Sequence, residues 1–326
     1  MGLTATDHPQ DLRVRRGRRW PRALLTASVT AGGNSNVPNT HSPLRYPGGK
    51  SVLLKAVVDV IERNDLRGHR YAEPYAGGGG LALALLYGRH THRIALNDLD
   101  PAIYSLWWSI LNANDELLSK IETTPITVPE WHQQRETYFL GDASDPVSLG
   151  FAALFLNRTN RSGVVKGGVI GGLDQTGNYL IDCRFNRATL AQKIERIWKY
   201  RAQIEISSLD GRAFLQQHDE RTEPTLFFVD PPYFVKGRGL YSNYFEDDDH
   251  NQLAERVHAL KNPWLLTYDD AEAIASLYGT DPLYRYSIKY SAAVKRTGTE
   301  LLATSNDLEV AFPNMTRVVQ PERMTA

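Results

Sequence analysis

Apolar residues first recur at helical spacing at Leu53, Leu54, Val57, Val58 and Ile61, directly after Gly48-Gly49. That period predicts a helix with one buried stripe. Tyr71-Ala72-Glu73-Pro74 reads as a short extended run entering a glycine tract, Gly77 to Gly80. A small-residue helix over Leu81–Leu86, a strand over Arg93–Leu96 and a helix from Pro101 to about Leu111 should follow. A second alternation begins near Glu205. Thr225-Leu226-Phe227-Phe228-Val229 is a continuous apolar run of the kind that strands buried on both faces need. A helix is expected around Asn251–Leu260, a strand at Trp264–Tyr268, and extended segments at Ser287–Tyr290 and Glu300–Thr304. Strands alternating with helices imply an α/β fold, a mostly parallel, doubly wound sheet with right-handed crossovers and helices on both faces.

Residues 115–204 have a different character. The stretch Asn157–Asn178 is rich in Asn, Arg, Gly and Thr, and Thr189–Tyr200 is again helical in pattern. Gly163, Gly167, Gly168, Gly171, Gly172 and Gly177 predict turns and a hairpin there. A polar, basic insertion into an α/β core is a natural place for ligand recognition. The expected organisation is an arm at 1–40, a core domain built from 41–114 and 205–312, an inserted recognition domain at 115–204, and a tail at 313–326.

Charge and composition narrow the picture only a little. Lys+Arg and Asp+Glu are each 37 in 326 residues, so a nucleic-acid partner would have to meet a local basic face. Cys183 is the single cysteine. It excludes an intramolecular disulfide and a cysteine-rich zinc site, fits a reducing cytoplasm, and reads as a packed neutral thiol. No stretch approaches the roughly 20 apolar residues that cross a bilayer. Arg15-Arg16 and Arg18-Arg19 precede Ala23-Leu24-Leu25 like the start of an export signal, but Thr26-Ala27-Ser28 breaks the apolar run. Residues 1–40 therefore read as a largely disordered basic arm.

Two loops carry candidate chemistry. Tyr71–Gly80 passes from a strand through glycines into a helix, which lets a ligand approach the backbone closely. Asn97-Asp98 ends the next strand about twenty residues on, where a carboxylate can accept bonds from ribose hydroxyls. Gly77, Gly79 and Ala82 with Asp98 also satisfy the dinucleotide pattern of a dehydrogenase, although Glu73-Pro74 stands where that pattern has an apolar strand. From this fragment alone, a dehydrogenase and a plain glycine turn stay open.

Asp230-Pro231-Pro232-Tyr233 follows the most apolar strand. An adenine amino group is a poor nucleophile because its lone pair is delocalised into the ring. Acceptors on both N–H bonds, the Asp230 carboxylate and the Pro231 carbonyl, draw the nitrogen toward tetrahedral geometry and free that pair. Proline fixes φ and offers no competing donor, so the carbonyl can be aimed. Tyr233 offers a flat face for an extruded base. The plainer alternative is a Pro231-Pro232 turn with Asp230 as a cap.

Taken in order, these segments resemble the Dam-type (D12 class) N6-adenine DNA methyltransferases, from about Ser42 to Asn306. Leu44-Arg45-Tyr46-Pro47-Gly48-Gly49-Lys50 is similar to that family's cofactor motif, Glu73–Gly79 to its glycine loop, Asn97-Asp98 to its ribose-binding carboxylate, and Asp230–Tyr233 to its catalytic loop. Asn157–Gly163 with Arg184-Phe185-Asn186 resembles the recognition segment of one branch. Tyr290-Ser291-Ala292, Lys295-Arg296 and Glu300-Leu301-Leu302 resemble the C-terminal strands, and the motif order is that of the α group.

The resemblance implies a Rossmann-like S-adenosylmethionine-dependent sheet with an inserted target-recognition domain. It also implies direct methyl transfer to N6 of a flipped adenine in a specific double-stranded DNA sequence. Tyr46 and Lys50 would contact the methionine end of S-adenosylmethionine and Glu73 would orient the same region; Gly49, Pro74, Tyr75, Gly77 and Gly79 would complete the cofactor site. Asp98 would take the ribose and Asp210 the adenine. Gly48-Gly49-Lys50-Ser51 also looks like a phosphate loop, but Leu44 replaces the first glycine, which rejects ATP.

For DNA, the insert offers Arg158, Asn160, Arg161, Lys166, Arg184, Asn186 and Arg187, of which one or two would read bases. Lys236 and Arg238 are expected phosphate contacts. Asp247-Asp248-Asp249-His250 invites a metal reading but precedes a helix, so it reads as an N-terminal cap region, and no metal is expected. Trp107-Trp108 and Trp198 read as core. The remaining alternatives are cytosine-N4 methylation, an RNA substrate, and a DNA-binding regulator without catalysis. Asp rather than Ser at 230 favours adenine, and Asp230 with Lys50 favours an active enzyme. A cytoplasmic, nucleoid-associated monomer is expected, with a dimer and a separate cognate restriction endonuclease as further options.

Overall fold

The computed structural model describes residues 40–45, 49–234, 245–290 and 296–318. Eight strands form one sheet: β1 (Arg70–Glu73), β2 (Ile94–Asn97), β3 (Ile204–Ser207), β4 (Thr225–Val229), β5 (Trp264–Asp269), β6 (Leu283–Tyr290), β7 (Arg296–Thr304) and β8 (Thr316–Arg317). Their order is β3-β2-β1-β4-β5-β7-β6-β8. The first five are parallel. β7 runs antiparallel between β5 and β6, and β8 pairs antiparallel with β6. The chain winds outward from β1 to β3, returns, and winds the other way through β4 and β5. Strand order therefore reverses between β1 and β4, and crevices that bind ligands open outside the carboxyl ends of strands at such a point. This is the mostly parallel, doubly wound sheet expected from the alternation.

The helices are α1 (Leu54–Arg63), α2 (Gly80–Tyr87), α3 (Pro101–Asn112), α4 (Asn114–Thr123), α5 (Val128–Leu140), α6 (Pro146–Thr159), α7 (Arg187–Lys199), α8 (Gly211–Asp219), α9 (Asp247–His258) and α10 (Glu272–Leu277). Strand alternation divides the core in two. Tyr71, Ile94, Leu96, Leu226, Phe228, Leu265 and Leu302 face one apolar cluster, with α1, α2, α3 and α6. Ala72, Ala95, Phe227, Val229, Leu266 and Leu301 face the other, with α8, α9 and α10. Burial of these side chains on both faces is the main drive for the layered arrangement.

Local chemistry sets the element ends. Asp100 accepts from the Ala102 amide at 2.9 Å with Pro101 in the first turn, which starts α3. The helix expected around Asn251 begins at Asp247 instead. Glu246 and Asp249 form a reciprocal capping box there, so the acidic run belongs to the first turn, as its cap reading required. β6 begins at Leu283, four residues before the expected start, because Leu283 pairs with Ala303 of β7.

Residues 115–204 are more helical than their polar character suggested. α4, α5 and α6 occupy 114–159, and α6 is buried along nearly its whole length against α3. A Cβ on Gly150 would lie 2.6 Å from the Leu106 backbone, so glycine is what lets these two helices approach so closely. The glycine tract forms turns with an isolated antiparallel bridge between Asn160 and Val169. Trp107 is core, as expected; Trp198 is exposed at 38 % and stacks on the Arg201 guanidinium. Cys183 is also exposed, not packed: in the single turn Ile181–Arg184 the buried position falls on Ile181. The expected tail opens with β8. The arm at 1–39 and residues 319–326 lie outside the described residues, and among those described no helix is long and apolar enough to cross a membrane.

Candidate active site

A row of polar side chains forms at the carboxyl edge of the sheet because alternation sends them all to one face. Along β4, Leu226 and Phe228 face the α1–α3 cluster, and Asp230 continues that parity. The same count gives Glu73 after Tyr71, Thr267 after Leu265, and Glu300 before Leu302. Tyr286 of β6 lies opposite Glu300. The glycine loop after β1 and the Asp230 loop after β4 thus stand side by side at the reversal point.

Lys50, the first residue of a single helical turn ahead of α1, closes over this row. Its Nζ lies 3.1 Å from Asp230 Oδ1 and 3.5 Å from Glu300 Oε2, and donates to the Tyr233 hydroxyl at 2.5 Å. The Tyr233 hydroxyl donates in turn to Glu300 Oε1 at 2.8 Å, and the Tyr286 hydroxyl donates to the other Glu300 oxygen. Thr267 Oγ1 donates to Asp230 Oδ1 at 2.7 Å. The Phe234 amide donates to Asp269 at 2.9 Å. Lys50 and Glu300 are buried, whereas the Asp230 side chain keeps 26 % of its surface exposed. Burial pushes the Asp230 carboxyl up, Lys50 pulls it down, Glu300 pushes it up, and the Thr267 bond pulls it down again. The Tyr233 ring is buried, with the Lys50 ammonium 4.9 Å from its centroid.

On the β1 side, Gly77 and Gly79 adopt φ of 48° and 56°, left-handed values that glycine takes without strain. A Cβ on Gly79 would lie 2.9 Å from the Trp107 ring, whose Nε1 donates to the Gly77 carbonyl at 3.0 Å. Glu73 is buried and accepts the Ala82 amide at 3.2 Å; burial pushes its carboxyl up to about 8. Asp98 accepts the Gly77 amide on one oxygen at 2.9 Å and the Asp100 amide on the other at 3.0 Å; burial pushes it up to about 7. Each Asp98 oxygen keeps a further lone pair, which suits a ligand with vicinal hydroxyls. Asn97, fully buried, ties the loops together. Its Nδ2 donates to the Pro74 and Leu209 carbonyls at 2.9 Å each, and its Oδ1 accepts from Ser207 Oγ and the Leu209 amide at 2.8 Å each. Asp210 caps α8. Burial works to raise its carboxyl, but the bonds and charge of Arg212 prevail and hold it low. The Tyr75 ring packs edge-on to Phe245 and so tightly on Gly211 that a Cβ there would lie 2.4 Å from it.

Gly49, Lys50, Glu73, Pro74, Tyr75, Gly77, Gly79, Asp98, Asp210 and Asp230–Tyr233 therefore share one edge of the sheet. Tyr46, Lys236 and Arg238 lie outside the described residues. The insert divides. Asn160 is buried, accepting from Trp131 Nε1 at 2.6 Å and donating to the Val164 and Val165 carbonyls. Asn186 caps α7, and the Arg187 guanidinium holds the Ile121 and Thr124 carbonyls. Arg161, Lys166 and Arg184 are exposed. Arg158 is half-buried beside Arg45 and Arg184; burial first, then those two charges, push it down to about 10. Arg158 Nε and Arg45 Nη1 are buried without a hydrogen-bond partner among the described residues.

Glu300, Tyr286, Thr267, Asp269 and Arg45 were given no site role from the sequence, and Asn97 was read only together with Asp98. Glu300 and Thr267 did leave a trace there, as polar side chains at alternate positions inside apolar strands. A family model for the D12 class N6 adenine-specific DNA methyltransferases matches residues 46–295. No curated protein matches the chain.

Proposed function

The chain belongs to the D12 class N6 adenine-specific DNA methyltransferase family, and we propose that it transfers the methyl group of S-adenosylmethionine to N6 of an adenine flipped out of a specific double-stranded DNA sequence. One observation carries this reading: the glycine loop and the Asp230 loop flank the same reversal point of the sheet. Bound S-adenosylmethionine supplies an electrophilic methyl group on a sulfonium. The residues supply the rest. Asp98 accepts from ribose hydroxyls, Glu73 sets a negative charge beside a cationic ligand, and Gly77 and Gly79 let it lie against the backbone. Asp230, oriented by Thr267, would accept a hydrogen bond from one N6–H and the Pro231 carbonyl one from the other. As the nitrogen takes the methyl group the sulfonium would leave as a neutral thioether, and the amine would give up one proton to solvent. Holding the amine in line supplies much of the rate, because the leaving group is already good. Base flipping is the access route that enzymes acting on a base in duplex DNA require. Incubation with S-adenosylmethionine and duplex DNA, followed by nuclease digestion and mass analysis, should yield N6-methyladenine; N4-methylcytosine, or no modified base, would overturn the proposal.

Glu73 and Asp98 make cofactor binding pH-dependent. In the unliganded chain their carboxyls titrate near 8 and 7, so both hold protons at pH 6. A cation and a diol both favour the ionised forms, so affinity for S-adenosylmethionine should rise as pH increases from 6 to 8.5. Binding should release protons in that window. Calorimetry in buffers of different ionisation enthalpy measures the release, and Glu73→Gln should diminish it. A pH-independent affinity with no proton release would remove both carboxylates from the cofactor site.

For DNA contact we propose Arg158, Arg161, Lys166 and Arg184, with Arg45 beside them. The like charges of Arg45, Arg158 and Arg184, close enough together to add to burial in pressing the Arg158 guanidinium down, support phosphate contact by making a local basic face. Asn160, Asn186 and Arg187 already bond within the fold, so we assign them no base contact. Arg184→Ala should weaken binding about equally on all sequences and lower the slope of log K against log salt by about 1. A salt titration that keeps the full slope would take Arg184 off the phosphates.

A further inference from the structure

We infer that Glu300 is a positioning residue for methyl transfer: from β7 its buried carboxylate fixes the Tyr233 hydroxyl and the Lys50 ammonium, and so orients the loop that follows β4. The inference rests on reading Asp230–Tyr233 as the catalytic loop. A carboxylate taken fully out of water costs several kcal/mol unless its lone pairs are met and its charge is paired. Glu300 meets both conditions with groups of the active site. It accepts from the hydroxyls of Tyr233 and Tyr286 and lies 3.5 Å from Lys50 Nζ. Its neighbours Leu301, Leu302 and Ala303 are all apolar and buried, so packing alone would be served by another apolar residue there.

Register gives the geometry a second anchor. Glu300 pairs with Asp269 across β7 and β5, and Asp269 accepts the backbone amide of Phe234 at 2.9 Å. Two carboxylates paired across the strands thus hold two consecutive loop residues, one by its ring hydroxyl and one by its amide. Pro231 and Pro232 stiffen the loop at its start. The Tyr233 ring is then fixed at both ends, by stiff backbone below and by Glu300 at its tip, and the Pro231 carbonyl is aimed by the same restraint. Lys50, held by Glu300 on one side, stays within 3.1 Å of Asp230.

The test compares Glu300→Ala, Glu300→Gln, Tyr233→Phe and the Glu300→Ala/Tyr233→Phe double variant in the full chain, with single-turnover rates, KM for DNA and for S-adenosylmethionine, and thermal melts. Losing a hydrogen bond to a charged group should cost Glu300→Ala ~10- to 100-fold in rate, with KM for DNA unchanged. The double variant should lose clearly less than the product of the two single-variant losses, because both single variants break the bond that the two residues share. Glu300→Gln keeps an acceptor for Tyr233 and should recover part of the rate.

Glu300→Gln should also shift the acid limb of the pH–rate profile to lower pH. Of the charged and polar groups facing Asp230, namely Lys50, Glu73, Glu300, Tyr233 and Thr267, it removes one negative charge that opposes ionisation. A folded Glu300→Ala with the wild-type rate, multiplicative single-variant losses, or a change confined to KM for DNA would each overturn the inference. Should Glu300→Ala fail to fold, Glu300→Gln decides: a wild-type rate and an unmoved acid limb overturn it. Asp230→Ala separates the two readings. Activity surviving there sinks the catalytic loop itself, whereas an inactive Asp230→Ala beside a fully active Glu300→Ala sinks only the role of Glu300.

Discussion

Asp230→Ala is expected to lower the methyl-transfer rate by at least ~10³-fold while duplex DNA and S-adenosylmethionine still bind. The size follows from the chemistry: a buried, preorganised group aimed at charge developing in the transition state typically carries 10²- to 10³-fold or more. Here the substituted group is one of only two acceptors proposed for the amine, and without it the lone pair stays in the ring. The fold should survive the change. Lys50 keeps Glu300 at 3.5 Å as a counter-ion, and the buried Thr267 hydroxyl loses one acceptor, a cost of about 1–3 kcal/mol. Single-turnover assays beside electrophoretic binding measure the two effects separately. A rate within tenfold of wild type in a folded, DNA-binding variant would take Asp230 out of the mechanism.

Most of the sheet was legible because its strands announce themselves locally. Thr225–Val229 is apolar throughout, and Asp230 ends it with a charge where a parallel strand must meet solvent or ligand. The glycine loop was equally plain, since only a tight turn and a close backbone approach require glycine at Gly77 and Gly79. The helices at 114–159 were not. α4 and α5 show mostly polar surface residues, and α6, buried on nearly all sides with the distant α3 as partner, has no polar face to give it a helical period.

Residue type alone does not separate DNA contacts from structural bonds in the insert. An Asn amide or Arg guanidinium that could read a base edge can equally satisfy buried carbonyls. Asn160 and Arg187 do the latter, and the Asn186 side-chain oxygen accepts the Thr189 amide, while Arg161, Lys166 and Arg184 stay exposed. Glu300 was hidden differently. Its link to Asp230, 70 positions earlier, depends on β7 inserting beside β5 in a chain whose local pattern shows only an extended segment.

Lys50→Met is expected to be the most destabilising change at the site, and its cost should grow with pH. Nζ is bracketed by Asp230 and Glu300 at 3.1 and 3.5 Å, and methionine fills a similar volume without the charge. Breaking a buried pair by removing one partner costs about 3–5 kcal/mol, because the other charge is left uncompensated; in a chain of this size that is roughly 10 °C in Tm. The sign follows from the carboxylates. Asp230 is already pushed up by burial and by Glu300, and Lys50 is the group that pulls it down. Without Lys50 the folded Asp230 carboxyl lies further above the value of about 4 that it has in the unfolded chain. Below pH 4 both states are protonated and the penalty vanishes. As pH rises through the folded value the unfolded chain ionises more easily than the folded one, so stability is lost. The gap in Tm between variant and wild type should therefore be small at pH 5 and widest at pH 8, and the acid limb of any remaining activity should move to higher pH. A gap that is the same at both pH values would mean that Lys50 packs against the row without neutralising it.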